Sequence, residues 1–226
     1  MQIRPEQLEQ HLKQGVAPCY LVTGAEPLII QECTDAIRAA ARAAGCVERE
    51  RINAADKDGW QSLIHSASSM SLFADRKLIE IQVDSGKPGA EGSKVLQEYL
   101  ALGSDNVLLV VAGKIDKQSQ RAKWYTALDK NGSVVTVWPI SAREMPSWIE
   151  QRIKRLGLTC DREAVSLLTE RVEGNALAAA QEVEKLALLA TDKHVTAEQV
   201  VQSVGDSARY NAFVMVDAAL SGDAKG

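Results

Sequence analysis

The amino-acid sequence predicts an α/β fold: a three-layer domain with a parallel sheet, followed by a small helical domain. Over about the first 138 residues, short apolar runs alternate with helical patterns, which is the arrangement of βα units. From Ser141 onward the sequence offers helical patterns and no strand candidate. Pro139 closes the alternating part, so we expect residues 1–140 to form the first domain and residues 141–210 the second.

Five runs of the first domain are predicted to be strands, because each is short and either apolar or alternating. They are residues 19–23, 47–52, 77–83, 107–112 and 134–137. Apolar residues recur every three or four positions in the intervening helices, which are expected at residues 5–13, 27–45, 60–67, 95–100 and 124–128. Three glycines and a proline predict a loop at residues 85–92.

The predicted second domain consists of amphipathic helices. Ile149 and Ile153, for example, lie four positions apart and share one helix face. The helices are expected at residues 145–156, 164–172, 179–190 and 195–204, and a further helical pattern begins at residue 213.

Composition excludes several classes of protein. The chain of 226 residues is 46% hydrophobic, which is enough to bury a core and excludes disorder. The formal net charge of −4 argues against a large basic surface that coats DNA. The longest strongly apolar run, residues 107–112, is far shorter than the ~18 residues of a membrane span. We therefore expect no membrane partner.

No catalytic residue and no metal site is predicted. The cysteines are too far apart for a Cys-x-x-Cys motif, so we expect buried or half-buried thiols at Cys19, Cys33, Cys46 and Cys160. The histidines stand apart in polar helical contexts, where surface positions are expected; they are His11, His65 and His194. The acidic pair Glu182 and Glu184 is typical of a solvated helix face.

The turn after the first strand is where an α/β protein would hold nucleotide phosphates. Glu26 places negative charge there, and Pro27 removes an amide donor. If Gly24 is taken as the first glycine of a P-loop, the positions of its second glycine, its lysine and its hydroxyl residue hold Ile29, Ile30 and Gln31. The strand at residues 107–111 ends in Ala112-Gly113 and not in acidic residues that would hold magnesium. We therefore expect no nucleotide cofactor and no ATP hydrolysis.

A small basic cluster lies on the first helix of the second domain: Arg152, Lys154 and Arg155. A solvated helix face explains it most simply. The alternative is contact with nucleic-acid phosphates or with an acidic patch of a partner.

Leu72 and Phe73 stand side by side in the segment between a predicted helix and a predicted strand. Adjacent residues on a short helix point about 100° apart, so both do not easily enter the same core. Core packing remains the more common arrangement for such residues. An exposed apolar pair would instead indicate a binding site.

Three stretches resemble the delta-subunit family of the bacterial DNA polymerase III clamp loader. They are residues 20–32 (YLVTGAEPLIIQE), 69–75 (SMSLFAD) and 173–186 (EGNALAAAQEVEKL). The resemblance extends in order over essentially the whole chain. It implies a RecA-like AAA+ domain with a degenerate P-loop, a helical lid, and at residues 211–226 the start of a helical collar domain. Leu177 stands three residues after Gly174, where the lid of an AAA+ ATPase carries an arginine. The chain stops at Gly226 where the collar should begin, which implies a chain lacking most of that domain.

The family implies a mechanical function. By the resemblance, Leu72 and Phe73 bind the sliding clamp (beta), with Met70, Ser71 and Asp75 as possible neighbours, and help to open the ring for loading on primed DNA. The other implied partners are the gamma/tau and delta-prime subunits, which meet this subunit through the collar. The subunit would be no enzyme itself, although it belongs to a DNA-directed DNA polymerase holoenzyme in the bacterial cytoplasm. Two alternatives remain open: a nucleotide-dependent AAA+ ATPase, and a DNA-binding module without a role in clamp opening.

Overall fold

The computed structural model describes residues 1–68, 76–190 and 192–209. The chain divides into two units, the first from Met1 to Pro139 and the second from Ile140 onward. Within the described ranges, none of the helices combines the length and apolar character that a membrane crossing requires.

The first unit is built on a six-stranded sheet in which every pairing is parallel. Its strands are β1 (Gln2–Ile3), β2 (Cys19–Gly24), β3 (Cys46–Asn53), β4 (Arg76–Val83), β5 (Val107–Ala112) and β6 (Ser133–Val137). They lie side by side in the order β1-β6-β2-β5-β4-β3. β5 is buried along its whole length because its residues are apolar on both faces and it lies between β2 and β4.

Helices cover both faces of this sheet. α1 (Pro5–Lys13) and α2 (Pro27–Ala43) pack on one face, and α3 (Gly59–Ser68), α4 (Gly89–Leu102) and α5 (Lys123–Asn131) pack on the other. Successive residues of a strand point to opposite faces, so Tyr20 and Val22 enter one core while Leu21 enters the second. The three layers and the parallel sheet confirm the predicted α/β class.

Two predictions for the first unit need correction. β1 was not expected, because two residues are too few to show an alternating pattern. The loop predicted at residues 85–92 is wrong for its last four residues, since α4 begins at Gly89. A Cβ at Gly92 would lie 2.4 Å from Cζ2 of Trp60, so glycine serves here to bring α4 close to the indole ring. A sequence pattern does not reveal that contact.

The second unit contains four helices in the described part of the chain. They are α6 (Met145–Arg155), α7 (Arg162–Val172), α8 (Ala176–Leu189) and α9 (Ala197–Arg209). Their apolar faces meet in one core, whose central members include Ile149, Ile153, Leu168 and Val183. The helical pattern predicted from residue 213 lies outside the described residues.

The second unit also contains a short parallel strand pair, β7 (Thr159–Cys160) with β8 (His194–Val195). The prediction of helices alone is therefore incomplete, because two-residue strands leave no periodic signal. His194 lies in β8 and not in a helix: its Nε2 is 3.0 Å from Oδ1 of Asp161, and its Nδ1 is 2.7 Å from Oγ1 of Thr159. The fourth predicted helix accordingly starts two residues later than expected, at Ala197.

All four cysteines are free thiols. Cys19, Cys33 and Cys46 are buried and Cys160 is half-buried, which confirms the prediction from their spacing.

Candidate functional site

The turn that joins β2 to α2 lies where a phosphate-binding loop would be expected, and its backbone packs against the end of β6. The amide of Ala25 donates to the carbonyl oxygen of Val137 at 3.3 Å. A Cβ at Gly24 would meet the same oxygen at 2.0 Å, so a side chain does not fit there. Glu26 stands at the N-cap position of α2, without a side-chain capping bond, and brings negative charge to the helix end that would attract phosphate. Ile30, at the position of the P-loop lysine, packs against the core.

A cleft of about 380 Å³ opens beside the start of α2 at the carboxyl edge of the sheet. No acidic residue ends β5, but one follows the adjacent strand β4: Asp84 lines the cleft together with Gly24 and Gly113. A magnesium-nucleotide site also needs the P-loop lysine and hydroxyl. Ile30 and Gln31 stand at those positions, so Asp84 alone does not complete the site.

One wall of the cleft is a buried ion-pair network around Glu80 on β4. The carboxylate of Glu80 is 3% exposed and accepts two hydrogen bonds from Arg38 of α2, at 2.7 and 2.9 Å. It accepts two more from Arg49 of β3, at 2.9 and 3.2 Å. Asp35 accepts a further bond from Arg38 at 2.6 Å. The network joins α2, β3 and β4, and its arginines already have carboxylate partners.

The protonation of this network follows from its charges. Burial alone would raise the pKa of Glu80, but the hydrogen bonds and charges of Arg38 and Arg49 outweigh burial and lower the pKa below its usual range. The bonds to Glu80 raise the pKa of Arg38 in turn. Glu80 is therefore a carboxylate at neutral pH, and the network acts as a structural tie.

The segment that the resemblance assigns to clamp binding lies outside the described residues. It holds Met70, Ser71, Leu72, Phe73 and Asp75. Its two flanks are described: α3 ends at Ser68 and β4 begins at Arg76.

Both flanks are bonded to one carboxylate, that of Glu50 on β3. Ser66, in the last turn of α3, donates from its Oγ to Oε1 of Glu50. Lys77, at the start of β4, places its Nζ 3.2 Å from Oε2 of the same residue. Ser66 and Lys77 are both buried. A single side chain thus connects the helix before the segment to the strand after it.

The start of β4 has additional anchors in the loop that precedes β5. Arg76 donates from Nε to the carbonyl oxygen of Asp105 at 2.7 Å. The amide of Lys77 donates to Oδ1 of Asn106 at 2.9 Å. This flank is therefore held from two sides, by β3 and by the loop.

The basic cluster on α6 does not present three equivalent cations. Arg152 lies over the ring of Trp148, 5.1 Å from its centre, and its Nη2 is 3.5 Å from Oε1 of Glu184. Lys154 pairs with Glu150 one turn earlier at 2.7 Å. Arg155 is exposed. The contacts of Arg152 hold side chains of the second unit together, as expected for a cation that stacks on an aromatic ring.

Sequence reasoning missed the two carboxylates that organise these sites, Glu50 and Glu80. A signal was present for Glu80, since it is a charged residue inside a strand of apolar neighbours, where a buried charge needs a partner. Glu50 gave no such signal, because β3 alternates acidic and basic residues along its length.

The strand order and the turn before α2 define the class of protein: a three-layer α/β fold with a parallel sheet, similar to that of AAA+ proteins, in which the lysine and hydroxyl of a P-loop are missing from the turn. RuvB of Thermotoga maritima, an AAA+ protein, has a similar fold, with a TM-score of 0.51 and 10% identity over 88% of this chain and 65% of that chain. Residues 20–137 match the family of the DNA polymerase III delta subunit. The chain belongs to this family.

Relatives cover the chain from end to end. The DNA polymerase III subunit delta of Escherichia coli K12 is 35% identical over 100% of this chain and 66% of its own length. That of Haemophilus influenzae is 31% identical over 98% of this chain and 65% of its own. The solved DNA clamp loader delta protein of Bacillus subtilis matches with a TM-score of 0.69 and 20% identity, over 88% of this chain and 61% of that one. The chain thus spans about two thirds of the length of the curated relatives.

Proposed function

We propose that this chain is a clamp-loader subunit that binds the ring-shaped sliding clamp and helps to open the ring for loading on primed DNA. Membership of the delta-subunit family supports the proposal. The observation that carries it is the turn at residues 24–31, where an AAA+ fold has Glu26 and Ile30 in place of phosphate-binding groups. Such a fold is suited to binding a partner and not to hydrolysing ATP.

The clamp contact is assigned to Leu72 and Phe73, with Met70, Ser71 and Asp75 as neighbours. Two adjacent large apolar side chains would fill an apolar pocket on the clamp, and contacts around them would disfavour the closed ring interface. A pair of this kind gives most of the affinity of an interface when it is buried in a fitted pocket.

The remaining partners belong to the assembled loader. We assign contacts with the gamma/tau and delta-prime subunits to a collar domain, of which residues 211–226 would be the start. Contact with primed DNA would be made within that assembly. The exposed Arg155 is available for a phosphate or an acidic partner, whereas Arg152 and Lys154 have ion-pair partners on this chain. DNA polymerase activity would be a property of the holoenzyme and not of this chain.

A nucleotide-dependent enzyme is the second candidate, and Asp84 is the observation in its favour. The acidic side chain lines the cleft beside α2, where magnesium would be held in an ATPase. Calorimetric titration with magnesium-ATP separates the two candidates. We expect no heat of binding, and a micromolar dissociation constant would favour the enzyme.

The test of clamp binding is the double substitution Leu72→Ala with Phe73→Ala. Burial of each side chain contributes about 1.5–3 kcal/mol, so affinity for the sliding clamp should fall by roughly two to four orders of magnitude. The melting temperature should change little, because an exposed pair has few core contacts to lose. The control is Leu102→Ala on α4, which removes a side chain from a residue that is 57% exposed and lies outside the segment. This control should leave clamp affinity unchanged.

Two results would contradict the proposal. A strongly lowered melting temperature with unchanged clamp affinity would mean that the pair belongs to the core. Tight, steeply salt-dependent binding of primed DNA in the absence of the clamp would favour a DNA-binding module.

A further inference from the structure

We propose that Glu50 is a positioning residue that fixes the last turn of α3 against the start of β4, and so sets the separation of the chain ends between which residues 69–75 run. The consequence for clamp affinity rests on the proposed function. The positioning itself is a property of the described residues and has its own measurement.

The geometry assigns one oxygen of Glu50 to each flank. Oε1 accepts the hydroxyl of Ser66, three residues before the segment, and Oε2 faces the ammonium of Lys77, two residues after it. The two contacts lie on different oxygens, so each oxygen of the carboxylate has a partner on one flank. A side chain with this pair of contacts fixes the distance between α3 and β4 at the point where the segment leaves and returns.

The backbone explains why a residue on β3 occupies this place. β3 pairs in parallel with β4, and Glu50 lies opposite Ile79, so the side chain of Glu50 is within reach of the start of β4. α3 follows β3 and packs against the same core through Leu63, which is buried. Ser66 lies one turn beyond Leu63 on the same helix and faces the strand.

Both groups that contact Glu50 are buried, so each needs a partner within the chain. The side chain of Lys77 is 4% exposed, and a buried ammonium requires a nearby carboxylate. Ser66 is also buried, so its hydroxyl loses water on folding and gains a charged acceptor in return. The start of β4 keeps its bonds to Asp105 and Asn106 without Glu50. Removal of the carboxylate should therefore loosen the end of α3 first.

Amide hydrogen exchange measures the positioning directly. In Glu50→Ala, the amides of residues 65–68 should exchange at least tenfold faster than in the unaltered chain, because the last turn of α3 loses the contact of Ser66 with Glu50. Ser66→Ala, which removes only the helix side of the contact, should give most of the same increase. The double variant should exchange no faster than Glu50→Ala alone, because both substitutions remove one shared contact.

Two further variants separate positioning from general stability. Glu50→Gln keeps a hydrogen-bond partner for Ser66 but removes the charge opposite the buried Lys77. Exchange at residues 65–68 should therefore rise less than in Glu50→Ala. Glu80→Gln weakens the buried network that joins α2, β3 and β4, whose hydrogen bonds to Glu80 come from Arg38 and Arg49 and not from α3. This variant should lower the free energy of global unfolding. Local exchange at residues 65–68, after correction for global unfolding, should be the same as in the unaltered chain.

Clamp affinity is the second readout. Glu50→Ala should weaken binding of the sliding clamp roughly tenfold, Glu50→Gln should weaken it less, and Glu80→Gln should change it less than threefold. Unchanged exchange at residues 65–68 in Glu50→Ala would overturn the inference. Equal losses of clamp affinity in Glu50→Ala and Glu80→Gln would also overturn it, because the effect would then follow stability. If the unaltered chain bound no clamp but exchange rose as expected, the proposed function would fail and the positioning by Glu50 would stand.

Discussion

Replacement of Glu80 by glutamine should destabilise the first unit through its buried ion-pair network. Glutamine has one acceptor oxygen in place of two and no charge, so Arg38 and Arg49 lose at least one of the four hydrogen bonds that Glu80 accepts, and the negative charge opposite them. Loss of one partner of a fully buried pair costs about 3–5 kcal/mol. The side chains of Arg38 and Arg49 retain 18% and 35% exposure, so water compensates them in part. Asp35 also continues to pair with Arg38.

Because of these remaining contacts, we expect Glu80→Gln to lower the free energy of unfolding by about 2–3 kcal/mol. A loss of this size lowers the melting temperature by roughly 5–10 °C in a unit of this length. Urea unfolding followed by circular dichroism at pH 7 measures it. The matched control is Glu98→Gln, an exposed helical residue paired with Lys94 at 3.6 Å, which should cost less than about 0.5 kcal/mol.

The pH dependence of stability tests whether the charge of Glu80 is the cause of this loss. The pKa of Glu80 is lower in the folded chain than in the unfolded chain, so its contribution to stability is fully present above the unfolded pKa of about 4.3. This contribution is lost as the pH falls through the lower folded pKa. The difference between the unaltered chain and Glu80→Gln should therefore be constant from pH 7 to 5 and shrink below pH 4. A difference that stays constant down to pH 3, or that is absent at pH 7, would refute this reasoning.

Two other expectations concern packing and thiol reactivity. Gly92→Ala should lower the free energy of unfolding, measured in urea, by about 1–3 kcal/mol, because its Cβ would lie 2.4 Å from the Trp60 ring. A loss below about 0.5 kcal/mol would mean that α4 shifts freely to make room. Iodoacetamide at pH 8 should modify half-buried Cys160 well before buried Cys19, because burial raises the pKa of Cys19 to about 12. Peptide mass mapping measures the order of modification. Simultaneous modification would contradict the packing of the first unit.

The sequence predicted those elements whose own residues carry a periodic signal. β5 was predicted with its observed bounds, because an apolar run flanked by turns has one interpretation in a parallel sheet. β1 and the β7–β8 pair were missed, because two residues form a strand only when a distant partner supplies the hydrogen bonds. Gly92 was assigned to a loop on composition, whereas its contact with Trp60 decides its place in α4.

The candidate sites were predictable to different degrees. The missing P-loop groups could be read from residue types alone, since Ile30 has no chemistry for phosphate. The assignment of Leu72 and Phe73 came from the family resemblance and stays a prediction. Arg152 illustrates the limit of a charge pattern: its ring contact with Trp148 follows from helical spacing, but its partner Glu184 lies on another helix. Contacts across elements, like those of Glu50, depend on the tertiary fold.

The pairing of β1 with β6 has a consequence for biosynthesis. Gln2 pairs with Val134, so β1 has no partner in the sheet until β6 has emerged from the ribosome. At about 5–20 residues per second, that interval is roughly 7–26 seconds. β2 also waits for β6, since it lies between β5 and β6. Nascent chains that end before Ser133 therefore expose an open edge of β2, and the sheet is completed only after β6 has been synthesised.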